Sequence, residues 1–189
     1  MANRVAIFID GAYLDYVLKD EFKDARIDYQ ALSKCLAGNS DVLRTYYYHC
    51  PVYQGNPPTQ DESARYAAQR RFFTALDQIP RYTVRLGRLS YRGQDQSGKP
   101  KFEQKRVDIL LGVDLVQLAA KQAIQEAILL AGDSDFIPAV TAAKSEGVLI
   151  RLYHGATPHS DLWQEADERT RITQTLIDSV RRQPRLTPN

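Results

Sequence analysis

Short apolar or β-branched runs alternate with amphipathic segments along most of the chain. The runs are continuous in apolar side chains or rich in tyrosine, which is typical of strands that a parallel sheet buries on both faces. They occupy residues 5–9, 42–49, 82–91, 127–130 and 148–153. Apolar residues at helical spacing indicate helices at residues 12–18, 28–37, 61–78, 107–122, 136–146, 162–165 and 173–182. This alternation predicts an α/β fold with a central, mostly parallel sheet.

One segment breaks the alternation and is predicted to form an inserted β-hairpin. The strand at residues 82–91 runs into it, residues 93–98 form its tip, and residues 101–104 return. No internal repeat, low-complexity tract or linker divides the sequence. We therefore expect a single domain over residues 1–183, followed by a frayed C-terminal tail at residues 184–189.

The composition excludes several classes of protein. Of the 189 residues, 43% are apolar and 25% are charged, which is typical of a folded domain. The two cysteines are too few for a disulfide scaffold or a four-cysteine zinc site. No apolar run approaches the roughly 20 residues of a membrane span, and the apolar stretch near the N-terminus is too short for a signal peptide. We expect a cytoplasmic protein without a membrane partner.

The formal net charge of +2 hides an uneven distribution. Residues 44–106 contain 12 basic and five acidic side chains, an excess of seven positive charges, so the rest of the chain carries a net charge of −5. A basic middle with acidic flanks is typical of an enzyme that holds cations with carboxylates and grips a polyanion beside them. It is equally typical of a solvated surface, and both interpretations stay open.

Four aspartates are placed where the ends of parallel strands meet. Asp10 ends the first predicted strand, Asp133 and Asp135 follow the fourth, and Asp108 begins the helix after the hairpin. Ligands bind at this edge of open α/β sheets. Carboxylates held close together must be protonated or neutralised by a cation, and Mg²⁺ and Mn²⁺ prefer oxygen ligands. The placement predicts a Mg²⁺ or Mn²⁺ site.

Each of these aspartates also has a purely structural explanation. Asp10 could belong to a turn with Gly11, Asp108 could be an N-cap or a first-turn acid, and Asp133 and Asp135 could cap the next helix. Convergence of all four at one edge favours the metal site over four separate explanations.

A fifth aspartate and three histidines are interpreted differently. Asp114 follows Asp108 by six residues, which in a helix is a rise of about 9 Å along the axis and a rotation of about 240°. Both acids cannot easily reach the same ion, so we expect Asp114 to bind a basic side chain or a second cation. His49, His154 and His159 show no ligand spacing and are interpreted as incidental.

Three motifs resemble a known family. They are FIDGAYL at residues 8–14, KRVDI at residues 105–109, and LAGDSDF at residues 130–136. In this order they resemble the NYN family, a PIN-like nuclease group that includes the LabA-like bacterial proteins, and LWQEAD at residues 162–167 is similar to its closing segment. Tyr13 stands where the family usually has Asn, and Ala131 stands where it usually has Ser.

The resemblance implies a three-layer α/β/α PIN-like sandwich that cleaves RNA with a metal ion. It implies that Asp10, Asp108 and Asp133 hold Mg²⁺ or Mn²⁺, and that Asp135 completes the catalytic set by orienting a metal-bound water or holding a second ion. Two neighbouring residues keep two interpretations each. Lys105 would contact the phosphate or pair with an aspartate. Ser134 would hydrogen-bond a carboxylate or only the start of the helix.

The basic segment then gains a candidate role in holding RNA, interpreted as single-stranded. Arg88, Arg92 and Lys101 on the hairpin, together with Lys105, are the predicted RNA-binding residues, with Lys99 near them. Tyr91 and Phe102 alternate with these cations in the sequence. They would either stack on unpaired bases or form a cross-strand pair that packs on the core.

Two classes of function are compatible with the sequence. The first is a metal-dependent endoribonuclease. The alternative is a non-catalytic RNA-binding or regulatory protein on the same fold, for which Tyr13 is the main indication. The oligomeric state stays open, with a homodimer as one alternative.

Overall fold

A computed structural model describes residues 3–94 and 100–182. A six-stranded sheet forms its centre, in the order β3-β2-β1-β6-β7-β8, and every neighbouring pair in it is parallel. The strands of this sheet are β1 (Arg4–Asp10), β2 (Asp41–His49), β3 (Tyr82–Leu86), β6 (Glu126–Leu130), β7 (Leu149–His154) and β8 (Glu168–Arg171). The predicted parallel α/β sheet is confirmed.

Helices cover both faces of this sheet, which makes three layers. They are α1 (Gly11–Phe22), α2 (Tyr29–Ala37), α3 (Gln60–Asp77), α4 (Val107–Ala120), α5 (Ile137–Ser145), α6 (Ser160–Glu165) and α7 (Gln174–Ser179). Successive side chains of β1 point to opposite faces, so Ile7 and Ile9 join the core under α1, α2, α3 and α7, while Ala6 and Phe8 join the core under α4, α5 and α6. Burial on both faces explains why β1 has the continuous apolar sequence of a central strand.

The strand order reverses direction at β1. From β1 the chain first adds β2 and β3 on one side, and later adds β6, β7 and β8 on the other. The carboxyl ends of β1 and β6 therefore flank a topological switch point, where open α/β sheets bind their ligands. No helix within the described residues is both long and apolar enough to cross a membrane.

The predicted strand at residues 82–91 is wrong as one element. It divides at Gly87 into β3 of the main sheet and β4 (Arg88–Gln94), which pairs only with β5 (Pro100–Lys105) in a separate antiparallel hairpin. The Gly87 amide donates to the His49 carbonyl (2.8 Å), and a Cβ at Gly87 would lie 2.6 Å from the Lys105 carbonyl oxygen. The chain can leave the sheet here because glycine permits this close approach. The inserted hairpin itself is confirmed, and tip residues 95–98 lie outside the described residues.

The other differences lie at the C-terminal side of the fold. The strand β8 was not predicted, because its sequence ERTR is exposed, polar and without apolar alternation, as edge strands often are. The helix predicted at residues 136–146 begins only at Ile137, after a short 3₁₀ turn at Ser134–Phe136. The last predicted helix is shorter, as Gln174–Ser179. The predicted tail at residues 184–189 lies outside the described residues.

We expect Gly87→Ala to lower the free energy of unfolding by about 1–3 kcal/mol, because the added methyl group meets a backbone carbonyl that cannot rotate away. Gly112→Ala is the matched control. Gly112 lies inside α4, and a Cβ there would meet only the Ala139 Cβ, at 3.4 Å. Because alanine is more stable than glycine inside a helix, this change should raise the free energy of unfolding by about 0.5–1 kcal/mol. Urea denaturation followed by circular dichroism measures both, and equal effects would contradict the tight approach at Gly87.

Candidate metal centre

Asp10 ends β1 and caps the following helix. Its Oδ1 accepts hydrogen bonds from the backbone amides of Ala12 (3.0 Å) and Tyr13 (3.1 Å), at the N-terminus of α1. Its Oδ2 takes no part in the hydrogen bonds among the described residues. Burial raises the pKa of Asp10 above its ordinary value, and the negative charge of Asp108 raises it further, against a lowering by the two amides and by His49. The side chain is thus held in one orientation with one oxygen to spare.

Asp133 has the same arrangement after β6. Its Oδ1 accepts from the Asp135 amide at 3.0 Å and caps the 3₁₀ turn, while its Oδ2 has no hydrogen-bond partner among the described residues. Asp108 lies in the first turn of α4 and does not cap it, because Arg106 occupies the N-cap. Asp133 therefore does perform the capping that is one interpretation of it, and Asp10, interpreted as a turn residue, is a cap as well; each uses a single oxygen for it.

The charges of Asp108, Asp133 and Asp135 each raise the pKa of another acid at this edge. Burial raises the pKa of Asp108, and the charges of Asp133 and Asp135 raise it further. Asp108 in turn raises the pKa of Asp10, so all four acids belong to one electrostatic group. No salt bridge between described residues includes any of them.

The donors of this group suit a hard divalent cation. They are carboxylate oxygens, their charges have no salt-bridge partner among the described residues, and at least Asp10 and Asp133 each keep one oxygen outside the capping bonds. Over residues 3–94 and 100–182, however, no three carboxylate, imidazole or thiol side chains are arranged as a group that could hold a metal ion. The site fits Mg²⁺ or Mn²⁺ in donor type and charge, although its described side chains do not already form a group of three ligands.

His49 joins this edge although its sequence position gave no ligand spacing. It ends β2, one residue beyond the register partner of Asp10, with its Nε2 3.2 Å from Asp15 Oδ2 and its Nδ1 2.7 Å from the Cys50 carbonyl. Burial lowers the pKa of His49, but these hydrogen bonds and the charges of Asp15 and Asp10 outweigh burial and raise it overall. The rule that identified Asp10, a polar residue at a strand end, could also have identified His49.

Tyr13 braces the turn that presents Asp133. Its hydroxyl accepts a hydrogen bond from the Gly155 amide (2.9 Å), and its ring lies so close to Gly132 that a Cβ there would overlap it. Tyr13 thus connects the start of α1 with the turns that follow β6 and β7. The residue that departs from the family pattern has a structural contact of its own.

Asp114 binds a basic side chain, which was one of its two predicted roles. Its carboxylate accepts two hydrogen bonds from Arg85, Nη2 to Oδ1 at 3.0 Å and Nε to Oδ2 at 3.1 Å, and a third from the Tyr48 hydroxyl at 2.9 Å. Burial and the charge of Asp114 raise the pKa of Tyr48. The guanidinium and the hydroxyl use both oxygens of Asp114 and join α4 to β2 and β3.

The aromatic rings and the cations of the hairpin lie on opposite faces of it. Tyr91 and Phe102 are register partners, so the predicted cross-strand pair is confirmed, with ring centroids 5.9 Å apart. The expectation that this pair packs on the core is wrong. The Phe102 ring lies against the Tyr53 ring, with their centroids 4.4 Å apart, and Tyr91 is 56% exposed. Because side chains alternate between the faces of a strand, the rings share one face with Leu89, and the cations lie on the other.

The predicted RNA-binding cations differ in their surroundings. Arg88 and Lys105 are exposed register partners, so two positive charges stand directly opposite each other. Arg92 forms an exposed ion pair with Glu103 (2.5 Å), and Lys101 is exposed. Among the described residues, neither Lys105 nor Ser134 makes a side-chain hydrogen bond or an ion pair. Their predicted roles stay predictions.

The chain belongs to the NYN domain family, whose model matches residues 4–173. Membership implies a PIN-like nuclease fold, in a family that is often metal-dependent. The chain is 37% identical over 98 residues to the uncharacterized protein y4oD of Sinorhizobium fredii, a match that spans 50% of this chain and 42% of that protein. It resembles the crystal structure of VPA0982, a Vibrio parahaemolyticus protein of unknown function, with a TM-score of 0.64 and 19% identity over 92% of this chain and 94% of that one. This second likeness supports the fold alone.

We expect metal-free Asp10→Asn to melt at a higher temperature than the wild type at pH 7. A raised pKa in the folded state means that stability is lost as the pH rises from the ordinary value of 3.8 through the raised value. The uncharged amide removes this loss and can still accept the two backbone hydrogen bonds. The gain should therefore be full at neutral pH and disappear below pH 3.8.

Thermal denaturation in EDTA between pH 3 and pH 8 measures this effect. Asp20→Asn, an exposed acid on the same helix, is the matched control and should leave the melting temperature nearly unchanged. A gain that grew toward acid pH would contradict the electrostatic explanation.

We expect Gly132→Ala to destabilise the protein by about 1–3 kcal/mol, because the methyl group overlaps the Tyr13 ring. In a Tyr13→Ala background the same change should cost less than about 0.5 kcal/mol, since the ring is gone. Urea denaturation of the four proteins in this cycle measures the coupling. Additive effects would show that the two residues do not meet.

Proposed function

We propose that this protein is an endoribonuclease that uses Mg²⁺ or Mn²⁺ to hydrolyse RNA phosphodiester bonds. The observation that carries the proposal is the group of four aspartates at the switch point between β1 and β6, without a salt bridge among the described residues. Membership in the NYN family supports it, because this is typically a nuclease domain. Composition and fold are consistent with the activity but do not specify it.

Asp10, Asp108 and Asp133 would hold the ion. The first and third are oriented in advance, because backbone amides fix one carboxylate oxygen of each. Asp135 follows Asp133 by two residues and would orient a water or hold a second ion. When bound, the ion would activate water as the nucleophile and neutralise charge that develops on the phosphate.

The basic hairpin would hold the RNA beside this site. Arg88 and Lys105 face each other across the two strands, an arrangement that is unfavourable between like charges. A phosphate between them would relieve the repulsion. The exposed ion pair of Arg92 with Glu103 contributes little, so Arg92 can exchange its partner for a phosphate at small cost.

Non-catalytic RNA binding is the second candidate. One observation favours it: no three potential ligands in the described part of the chain form a ready group for a metal ion. Tyr13 adds to this, because it replaces the usual Asn and is engaged in packing against Gly132 and Gly155. On this alternative Asp10 and Asp133 serve only as helix caps, Asp108 is only a first-turn acid of α4, and the hairpin keeps its role.

We expect Asp133→Asn to abolish cleavage while RNA binding persists. The amide can still cap the 3₁₀ turn, but it loses the charge that would hold the ion. The rate should fall more than about 100-fold, beyond the loss typical of groups that only orient metal ligands. Cleavage of an end-labelled RNA with Mn²⁺, together with RNA binding in EDTA, measures the two properties separately.

Asp20→Asn serves again as the control and should cut at the wild-type rate. Calorimetric titration with Mn²⁺ should show weaker binding by Asp133→Asn than by the wild type. A wild-type protein that binds RNA but neither binds Mn²⁺ nor cuts would support the non-catalytic alternative and overturn the nuclease.

A further inference from the structure

Three aromatic rings form a continuous, partly exposed surface at the hairpin. Phe102 on β5 lies in the middle, with the ring centroid of Tyr53 at 4.4 Å and that of Tyr91 at 5.9 Å. Tyr53 is 42% exposed and Tyr91 is 56% exposed. Tyr53 comes from the loop after β2, far from the hairpin in sequence. We call these three residues the three-ring surface.

The loop that carries Tyr53 is fixed in place by α3. On one side of Tyr53, the Val52 amide donates to Gln69 Oε1 (2.6 Å), and Gln69 Nε2 donates to the carbonyl of buried Cys50 (3.3 Å). On the other side, the Gly55 amide donates to Glu62 Oε2 (3.4 Å). The backbone on both sides of Tyr53 is thus held by bonds that do not involve its ring. A ligand that stacks on it would find the loop already ordered, which lowers the entropic cost of binding.

Cations lie on the same two strands as these rings. Arg92 follows Tyr91, and Lys101 precedes Phe102; both are exposed. They belong to the opposite face of the hairpin, where Arg92 pairs with Glu103, so they would meet the backbone of a ligand that extends past the edge of the rings. Exposed rings within a segment that carries an excess of seven positive charges complement a ligand that has flat bases and a polyanionic backbone. A purely apolar partner would gain nothing from these cations.

The three-ring surface is also close to Asp108 along the chain. Phe102 precedes the end of β5 by three residues, about 10 Å of strand. Helix α4 and Asp108 follow directly after that end. A strand of nucleic acid that stacks on the rings would therefore continue toward the proposed catalytic site.

We propose that the three-ring surface stacks on unpaired bases and so selects single-stranded RNA over duplex RNA. This inference rests on the proposed function for the cleavage that follows, but not for the binding. Bases in a duplex are already stacked on one another and present only their edges, whereas unpaired bases present their faces. Tyr53 is the added element, because it extends the Tyr91–Phe102 pair into a surface that can take more than one base.

The test measures binding in EDTA, where neither metal nor cleavage contributes. The probe is a fluorescein-labelled single-stranded oligoadenylate of about 12 nucleotides, a length within the range that single-strand binding folds cover. It is compared with its duplex with oligouridylate and with an abasic oligomer of the same length. We expect the wild type to bind the oligoadenylate more tightly than either comparison probe.

Tyr53→Ala should weaken binding of the oligoadenylate about five- to 150-fold, the range typical of losing one stacked base, and should leave the abasic oligomer unchanged. Tyr53→Phe keeps the ring and should bind like the wild type. Tyr16→Ala removes a similarly exposed ring (54%) from α1 and is the matched control, with no expected effect. Circular dichroism of each variant confirms that it is folded.

Two results would overturn the inference. One is unchanged binding of the oligoadenylate by Tyr53→Ala. The other is equal binding of the oligoadenylate, the duplex and the abasic oligomer by the wild type, which would leave the rings to a protein partner. Either result leaves the Mn²⁺ titration and the Asp133→Asn cleavage assay intact. Conversely, a protein that stacks bases in EDTA but never cuts would keep this inference and lose the nuclease.

Discussion

Parallel pairing of β1 with both β2 and β6 is the constraint on which the site depends. It brings the carboxyl ends of three strands to one edge, and with them Asp10, His49 and the turn that carries Asp133. The continuous burial of β1 fixes its register, because a shift by one residue would exchange the side chains of two different cores. The sheet therefore brings the aspartates close enough to repel one another. The free energy gained by burying β1 and its neighbours has to outweigh this repulsion.

The backbone limits that repulsion without removing it. Asp10 and Asp133 each accept hydrogen bonds on one oxygen from amides at the start of a helical turn, where the local dipole favours negative charge. This makes helix capping and metal binding compatible roles of the same side chain, since the second oxygen is left for an ion. The capping hydrogen bonds of such a residue are common in proteins. Only the nearby acidic side chains distinguish it from an ordinary helix cap.

Much of this arrangement could be predicted from sequence, and the exceptions have physical reasons. Buried strands such as β1 and β6 have continuous apolar runs, and the acids at their ends follow from chain direction alone. The edge strand β8 has no such signal, because it buries no side chain of its own. The break at Gly87 depends on how closely Lys105 approaches, which is a tertiary fact. Tyr53 was not identified for the same reason: its contact with Phe102 joins segments that are far apart in sequence.

The strands of the hairpin pair only with each other, and this affects which parts of the domain can change in sequence or length. Strands β4 and β5 bond to each other and supply no rung to the six-stranded sheet. The insertion leaves the body of the protein at Gly87 and rejoins it at Arg106, whose left-handed backbone turns the chain into α4. A hairpin of another length or sequence can therefore be exchanged between these two points while the acidic edge stays the same. Under the proposed function, changes in the hairpin would then alter which RNA is bound without altering the acidic edge that would cleave it.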